Sequence, residues 1–117
     1  MIMSDNYIER GTDFLRTAFM TPMIWLDDIR PAPDNKYIVC HSYEDFVDLC
    51  SILMSLGKSI NFVDFDHDLG TEKTGYDVAK YIVENNIPVD CFSVHSSNSV
   101  GKDNIEQLLT HYGYTKL

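Results

Sequence analysis

Positive charge is scarce in this chain: nine Lys and Arg stand against 18 Asp and Glu, for a formal net charge of −9 over 117 residues. Binding an extended nucleic-acid backbone needs clustered Lys and Arg, so this balance excludes a broad nucleic-acid surface. A small phosphorylated ligand stays open if a metal supplies the positive charge. Cysteine is sparse and odd in number. Cys40, Cys50 and Cys91 lack close metal-ligand spacing, which excludes a disulfide framework and reads as reduced thiols in a cytoplasmic setting. Long apolar runs are also missing. No stretch approaches the ~20 apolar residues of a membrane span, and the N-terminus lacks a basic region followed by an apolar core, so no membrane partner is expected. What is present is 44% apolar and 12% aromatic residues, enough for one compact domain with a sizeable core.

Residues 1–22 form a segment of their own, with Tyr7, Ile8, Phe14, Leu15, Ala18 and Phe19 at roughly helical intervals around Gly11. This N-terminal helical arm could be a packing helix, a homodimer contact or a partner-binding arm. Residues 23–117 then alternate between two patterns. "MIWLDDIR" (23–30), "YIVC" (37–40), "INFVDFD" (60–66) and "VDCFSVHS" (89–96) are short, mostly apolar strands. Residues 42–57, 76–86 and 102–113 carry helical spacing, with Ser42 and Asp45 as a capping box and Gly57 as a stop. "SNSVG" reads as a loop before the last helix. Strands alternating with helices point to a mostly parallel sheet flanked by helices. The short first connection could make a hairpin, but an antiparallel second strand would tend to reverse the third. An extended, proline-stiffened parallel return is therefore expected between strands one and two.

In open α/β sheets, ligands bind beyond the carboxyl ends of the strands, and three of these ends carry polar clusters: Asp27-Asp28, Asp66-His67-Asp68 and His95-Ser96. Aspartate in a strand is costly unless it is paired, hydrated or coordinating something. Clustered carboxylates suit a hard divalent ion, with Asp27, Asp28 and Asp66 around Mg²⁺ or Mn²⁺ and Asp68 behind them. Turn-capping is the plain alternative for Asp28 and Asp68. Asp64 is expected to lie deeper, away from the ion. His67 and His95 are candidates for proton transfer near neutral pH. His41 could reach the same edge, whereas His111 reads as a surface residue. The stretch "HSSNSVGKDN" offers Ser96, Ser97, Asn98, Lys102 and backbone N–H groups to an anion, and Arg30 is a phosphate fork or a partner of Asp27 or Asp28.

In order along the chain, "WLDDIRPAP", "DFDHDLG", "GYDVAKYI" and "SVHSSNSVGKDNI" resemble the cyclic-phosphate-processing receiver-like domain family over residues 23 to 113. The resemblance implies a three-layer, receiver-like (flavodoxin-like) α/β fold with a mostly parallel sheet of four to five strands. It matches Asp27 and Asp28 to the receiver's acidic pair, Asp66 to the aspartate after strand three and Ser96 to the hydroxyl after strand four. His67 and His95 are the family's additions, used in its proposed phosphoesterase chemistry. The chain departs from an ordinary receiver in lacking a helix after strand one, a clear fifth strand and helix, and a secure match for the receiver lysine; Lys116 lies in a short tail and Lys102 in another element. The expected activity is metal-assisted hydrolysis of a cyclic phosphate on a nucleotide or RNA end. The alternative is a non-catalytic module that binds a cyclic nucleotide or a protein partner.

Overall fold

The computed structural model describes residues 21–117, so the expectations for the N-terminal arm lie outside the described residues, apart from its last two positions. The elements follow in the order β1 (Met23–Leu26), β2 (Ile38–Cys40), α1 (Tyr43–Ser55), β3 (Ile60–Phe65), α2 (Gly75–Glu84), β4 (Val89–Val94) and α3 (Ser99–His111). The four strands form one all-parallel sheet in the order β2-β1-β3-β4. This is the receiver-like, flavodoxin-like arrangement expected from the sequence.

The parallel return into β2 is what its proline-rich connection allows. Leu26 pairs with Cys40, and the Asp27 N–H donates to the Cys40 carbonyl just beyond the strand. Strand alternation then sorts the side chains. Ile24, Leu26, Ile38, Cys40, Val63, Phe65, Phe92 and Val94 are buried, and they join the apolar stripes of all three helices in one core. The stripes are Phe46, Leu49, Cys50 and Leu53 from α1, Val78, Ala79 and Ile82 from α2, and Ile105 and Leu109 from α3. Each such aliphatic or aromatic side chain contributes roughly 1.5–3 kcal/mol on burial. Trp25, Phe62 and Asp64 occupy the alternate positions, and Tyr37 closes edge-on against Trp25 at a centroid distance of 5.9 Å. No helix among the described residues is long and apolar enough to cross a membrane.

Two local readings need correction. α3 starts at Ser99, three residues before the expected Lys102, so part of "SNSVG" is helical. Asn98 makes this possible, because its side-chain oxygen accepts the Gly101 N–H at 2.9 Å and caps the first turn. The capping box at α1 is only half formed. Ser42 Oγ accepts the Asp45 N–H, but the Asp45 carboxylate accepts the His41 N–H, one residue earlier than a capping box requires. At the other end of the chain, the tail supplies a vestige of a fifth strand. The Phe92 N–H donates to Thr115, the Leu117 N–H donates back to Phe92, and a single parallel bridge joins Phe92 to Lys116.

Candidate functional site

Sheet register builds the site. Leu26, Phe65 and Val94 stand in one row across β1, β3 and β4, so the next residue of each strand, Asp27, Asp66 and His95, emerges at the same edge. Backbone bonds carry the row one step further: the Asp66 N–H donates to Leu26 and the His95 N–H donates to Phe65, each at 2.8 Å. Asp27, Asp28, Asp66 and Asp68 all line one cavity of about 290 Å³, together with Ile29, Arg30, Gly70 and Ser97.

Asp27 is 1% exposed. Its Oδ1 accepts the N–H groups of Ile29 and Arg30, each at 2.8 Å, and its Oδ2 lies 2.8 Å from His95 Nε2. Burial pushes the Asp27 carboxyl up, but the two backbone donors and His95 outweigh it and hold the group below the usual carboxylate range. Asp66 is 6% exposed, yet no hydrogen bond or ion pair among the described residues reaches its carboxylate. Its oxygens open onto the cavity rather than being sealed inside the protein.

His95 is held on both sides. Its Nδ1 lies 2.8 Å from Asp64 Oδ1, opposite the contact of Nε2 with Asp27, and the Trp25 ring stacks on it with centroids 4.0 Å and planes 2° apart. Burial disfavours the imidazolium, but the two carboxylates outweigh burial and raise the His95 pKa above its ordinary value. His67 is set differently. Its Nδ1 lies 2.9 Å from Asp68 Oδ1, and Asn98 Nδ2 stands 3.4 Å from the same nitrogen. A Cβ on Gly101 would collide with the His67 ring, so only glycine there lets α3 approach. The Asp68 carboxyl is held below its usual range chiefly by His67. Gly70, at φ +69°, plays a similar part for Asp28, whose Oδ2 would stand 2.7 Å from an added Cβ.

The remaining candidates divide. Arg30 lines the cavity but forks no acid among the described residues: its Nη1 donates to the His95 carbonyl at 3.0 Å, and its own carbonyl accepts the Trp25 Nε1–H. Ser97 lines the cavity, whereas Ser96, Asn98 and Lys102 are not among its lining residues. Ser96 Oγ accepts the Asn98 N–H, and Lys102 sits in the first turns of α3. His41 Nδ1 lies 3.1 Å from the Asp27 carbonyl, bracing the backbone of the site. His111 is exposed on α3, and Lys116 pairs with Glu106 at 3.4 Å, which takes it away as a receiver-type lysine. Sequence reasoning missed Asp64 and Trp25. The signal for Asp64 was its cost inside a strand; its partner, His95, could be identified only from the fold.

A sequence model described as "Cyclic-phosphate processing Receiver domain" matches residues 23–111. The chain belongs to the cyclic-phosphate processing receiver domain family. No curated protein and no solved structure gave a significant match. Within this receiver domain, Asp27, Asp66 and His95 each offer one donor atom, and these atoms all lie within 4.8 Å of one another. Donors facing each other across one divalent ion stand on the order of 4–5 Å apart, so this group fits such an ion. Asp66 brings to the group a carboxylate that lines the cavity and has no protein partner among the described residues.

Proposed function

We propose that this receiver domain is a metal-assisted phosphoesterase that opens a cyclic phosphate on a nucleotide or RNA end. The observation that carries the reading is the Asp66 carboxylate, which faces an acidic cavity without a protein partner among the described residues and groups with Asp27 and His95 at its edge. A divalent ion held by Asp27 and Asp66 would offset negative charge building on the phosphate and favour ionisation of an attacking water.

The protein's own residues divide the remaining work. Both ring nitrogens of His95 are engaged by carboxylates, whereas His67 uses Nδ1 on Asp68 and its Nε2 has no hydrogen-bond partner among the described residues. His67 is therefore the better proton carrier, oriented by Asp68 much as a carboxylate orients any catalytic imidazole. In the reaction, water oxygen bonds to phosphorus and one ring P–O bond breaks. The proton lost by water is taken up at the site, and the leaving ribose oxygen receives one, so the product is a linear phosphomonoester. Arg30, Ser97 and Asp28 line the space in which the phosphate would sit, with Arg30 the cationic side chain among the described lining residues.

Incubation with 2′,3′-cyclic, 3′,5′-cyclic and cyclic-oligonucleotide substrates, with Mg²⁺ or Mn²⁺, tests this reading. At least one should yield linear product, and His67→Ala should lower turnover by about 10²–10⁴-fold while the protein stays folded. No turnover on any substrate with any divalent ion would refute the phosphoesterase. Tight binding of a nucleotide recovered intact after hours with metal would instead establish a binding module.

A further inference from the structure

One imidazole in this fold is immobilised from every direction. Asp64 accepts at Nδ1, Asp27 stands at Nε2, the Trp25 ring lies flat against its face, and Arg30 holds its backbone carbonyl. Trp25 is itself fixed, being 7% exposed and bound through Nε1 to the Arg30 carbonyl. A histidine that shuttles protons must exchange partners as the reaction proceeds. A histidine that ligates a metal needs the reverse: one nitrogen anchored on a carboxylate, the ring plane set, and the second nitrogen aimed at the ion. His95 has the anchored Nδ1 and the fixed ring plane; its Nε2 lies 2.8 Å from Asp27 Oδ2, a contact that ligation would replace with release of the Nε2 proton, and Asp27, Asp66 and His95 each offer one donor atom within 4.8 Å of the others.

We propose that His95 is the nitrogen ligand of a mixed carboxylate–imidazole metal site, with Asp64 and Trp25 as the residues that position it, and that the site therefore favours Mn²⁺ over Mg²⁺. The inference rests on reading the acidic cavity as a metal site. It differs from the all-carboxylate set of Asp27, Asp28 and Asp66 that the receiver likeness implies. The chemical reason for the preference is that Mg²⁺ takes oxygen donors and gives up water reluctantly, whereas imidazole suits the transition metals.

The test loads the full chain with Mn²⁺ and records the electron spin echo, alongside calorimetric titration with Mn²⁺ and with Mg²⁺. A nitrogen modulation from a directly bound imidazole is expected in the native protein and is lost in His95→Gln. Asp64→Asn should weaken Mn²⁺ binding by about 10–100-fold, the usual cost of losing a carboxylate behind a metal-bound histidine, and weaken Mg²⁺ far less. The ratio is decisive, because simple loss of a nearby negative charge would weaken both ions alike. Trp25→Phe, which keeps a flat face, should retain more of the Mn²⁺ preference than Trp25→Leu. Mn²⁺ bound without nitrogen modulation would overturn the assignment while leaving the metal site standing. A parallel fall for both ions in Asp64→Asn would remove the positioning role. Failure of every ion to bind would overturn this inference and the metal-dependent function together. Should Asp64→Asn fold poorly, the native echo signal and the Trp25 pair still decide the question.

Discussion

His95 and His67 follow adjacent strands of one sheet, one residue and two residues beyond the strand ends, yet their surroundings are opposites. His95 sits between Asp27 and Asp64 under a stacked indole, with both ring nitrogens engaged. His67 rests on Asp68, whose side chain is 63% exposed, and its other nitrogen has no hydrogen-bond partner among the described residues. The difference separates two uses of imidazole. Rigid anchoring between the buried Asp27 and the half-buried Asp64 suits a ligand, whereas a solvent-screened contact on an exposed carboxylate leaves a ring able to change its proton partner. On the proposed reading the two histidines divide holding from transfer, a division their positions in the sequence do not show.

The sharpest way to break the comparison is to remove the carboxylate from each side. Asp27→Ala leaves His95 and two backbone donors facing a void in a site 1% exposed, and should cost about 3–5 kcal/mol in urea unfolding. Asp68→Ala removes a solvent-exposed pair and should cost no more than about 1 kcal/mol in the same measurement. Similar costs would mean that the two histidines are equally embedded. Next in size is Gly101→Ala, whose Cβ must displace the His67 ring. Overpacking of this kind costs about 1–3 kcal/mol, and turnover should fall while metal affinity, read by calorimetry, stays near native. A crystal structure of that variant with His67 unmoved would remove the glycine's role.

The smallest effect is in pH. The His95 pKa is raised from 6.5, so its stabilisation is complete below that value and is lost as pH climbs through the folded-state pKa. The Asp27 pKa is lowered from 3.8, so its stabilisation is complete above that value and is lost as pH falls through the folded-state pKa. Metal-free protein should therefore gain most from this pair between about pH 4 and 6.5. Urea midpoints across pH check the window, and His95→Gln should flatten its alkaline side.

Much of this architecture was legible because parallel strands read as short apolar runs and because polar clusters at three strand ends converge in an open sheet. Asp27, Asp28, Asp66 and Asp68 were found on that basis, and all four line one cavity. The start of α3 was not legible, since Ser, Asn and Ser describe a loop and an N-cap equally well. Nor was the partner of Asp64. Its cost in a strand announced that something must pair with it, but register places it beside Trp25 and Ser93, while the group that takes it is the ring of His95, which lies beyond the strand end. Contacts made by a side chain reaching along the sheet leave no periodic trace in the sequence.

The central claim is that the acidic edge holds a divalent ion, and thermal melting of the native chain and of Asp66→Asn, in EDTA and in Mg²⁺ or Mn²⁺, tests it most directly. At a hundredfold excess over Kd, an ion bound only to the folded state adds about 2.7 kcal/mol, which for a domain of this size raises Tm on the order of 5–15 °C. The native protein should show that rise, and Asp66→Asn should lose most of it while melting no lower than native protein in EDTA. Superimposable native curves in Mg²⁺, Mn²⁺ and EDTA would contradict the account and return these aspartates to turn and capping roles.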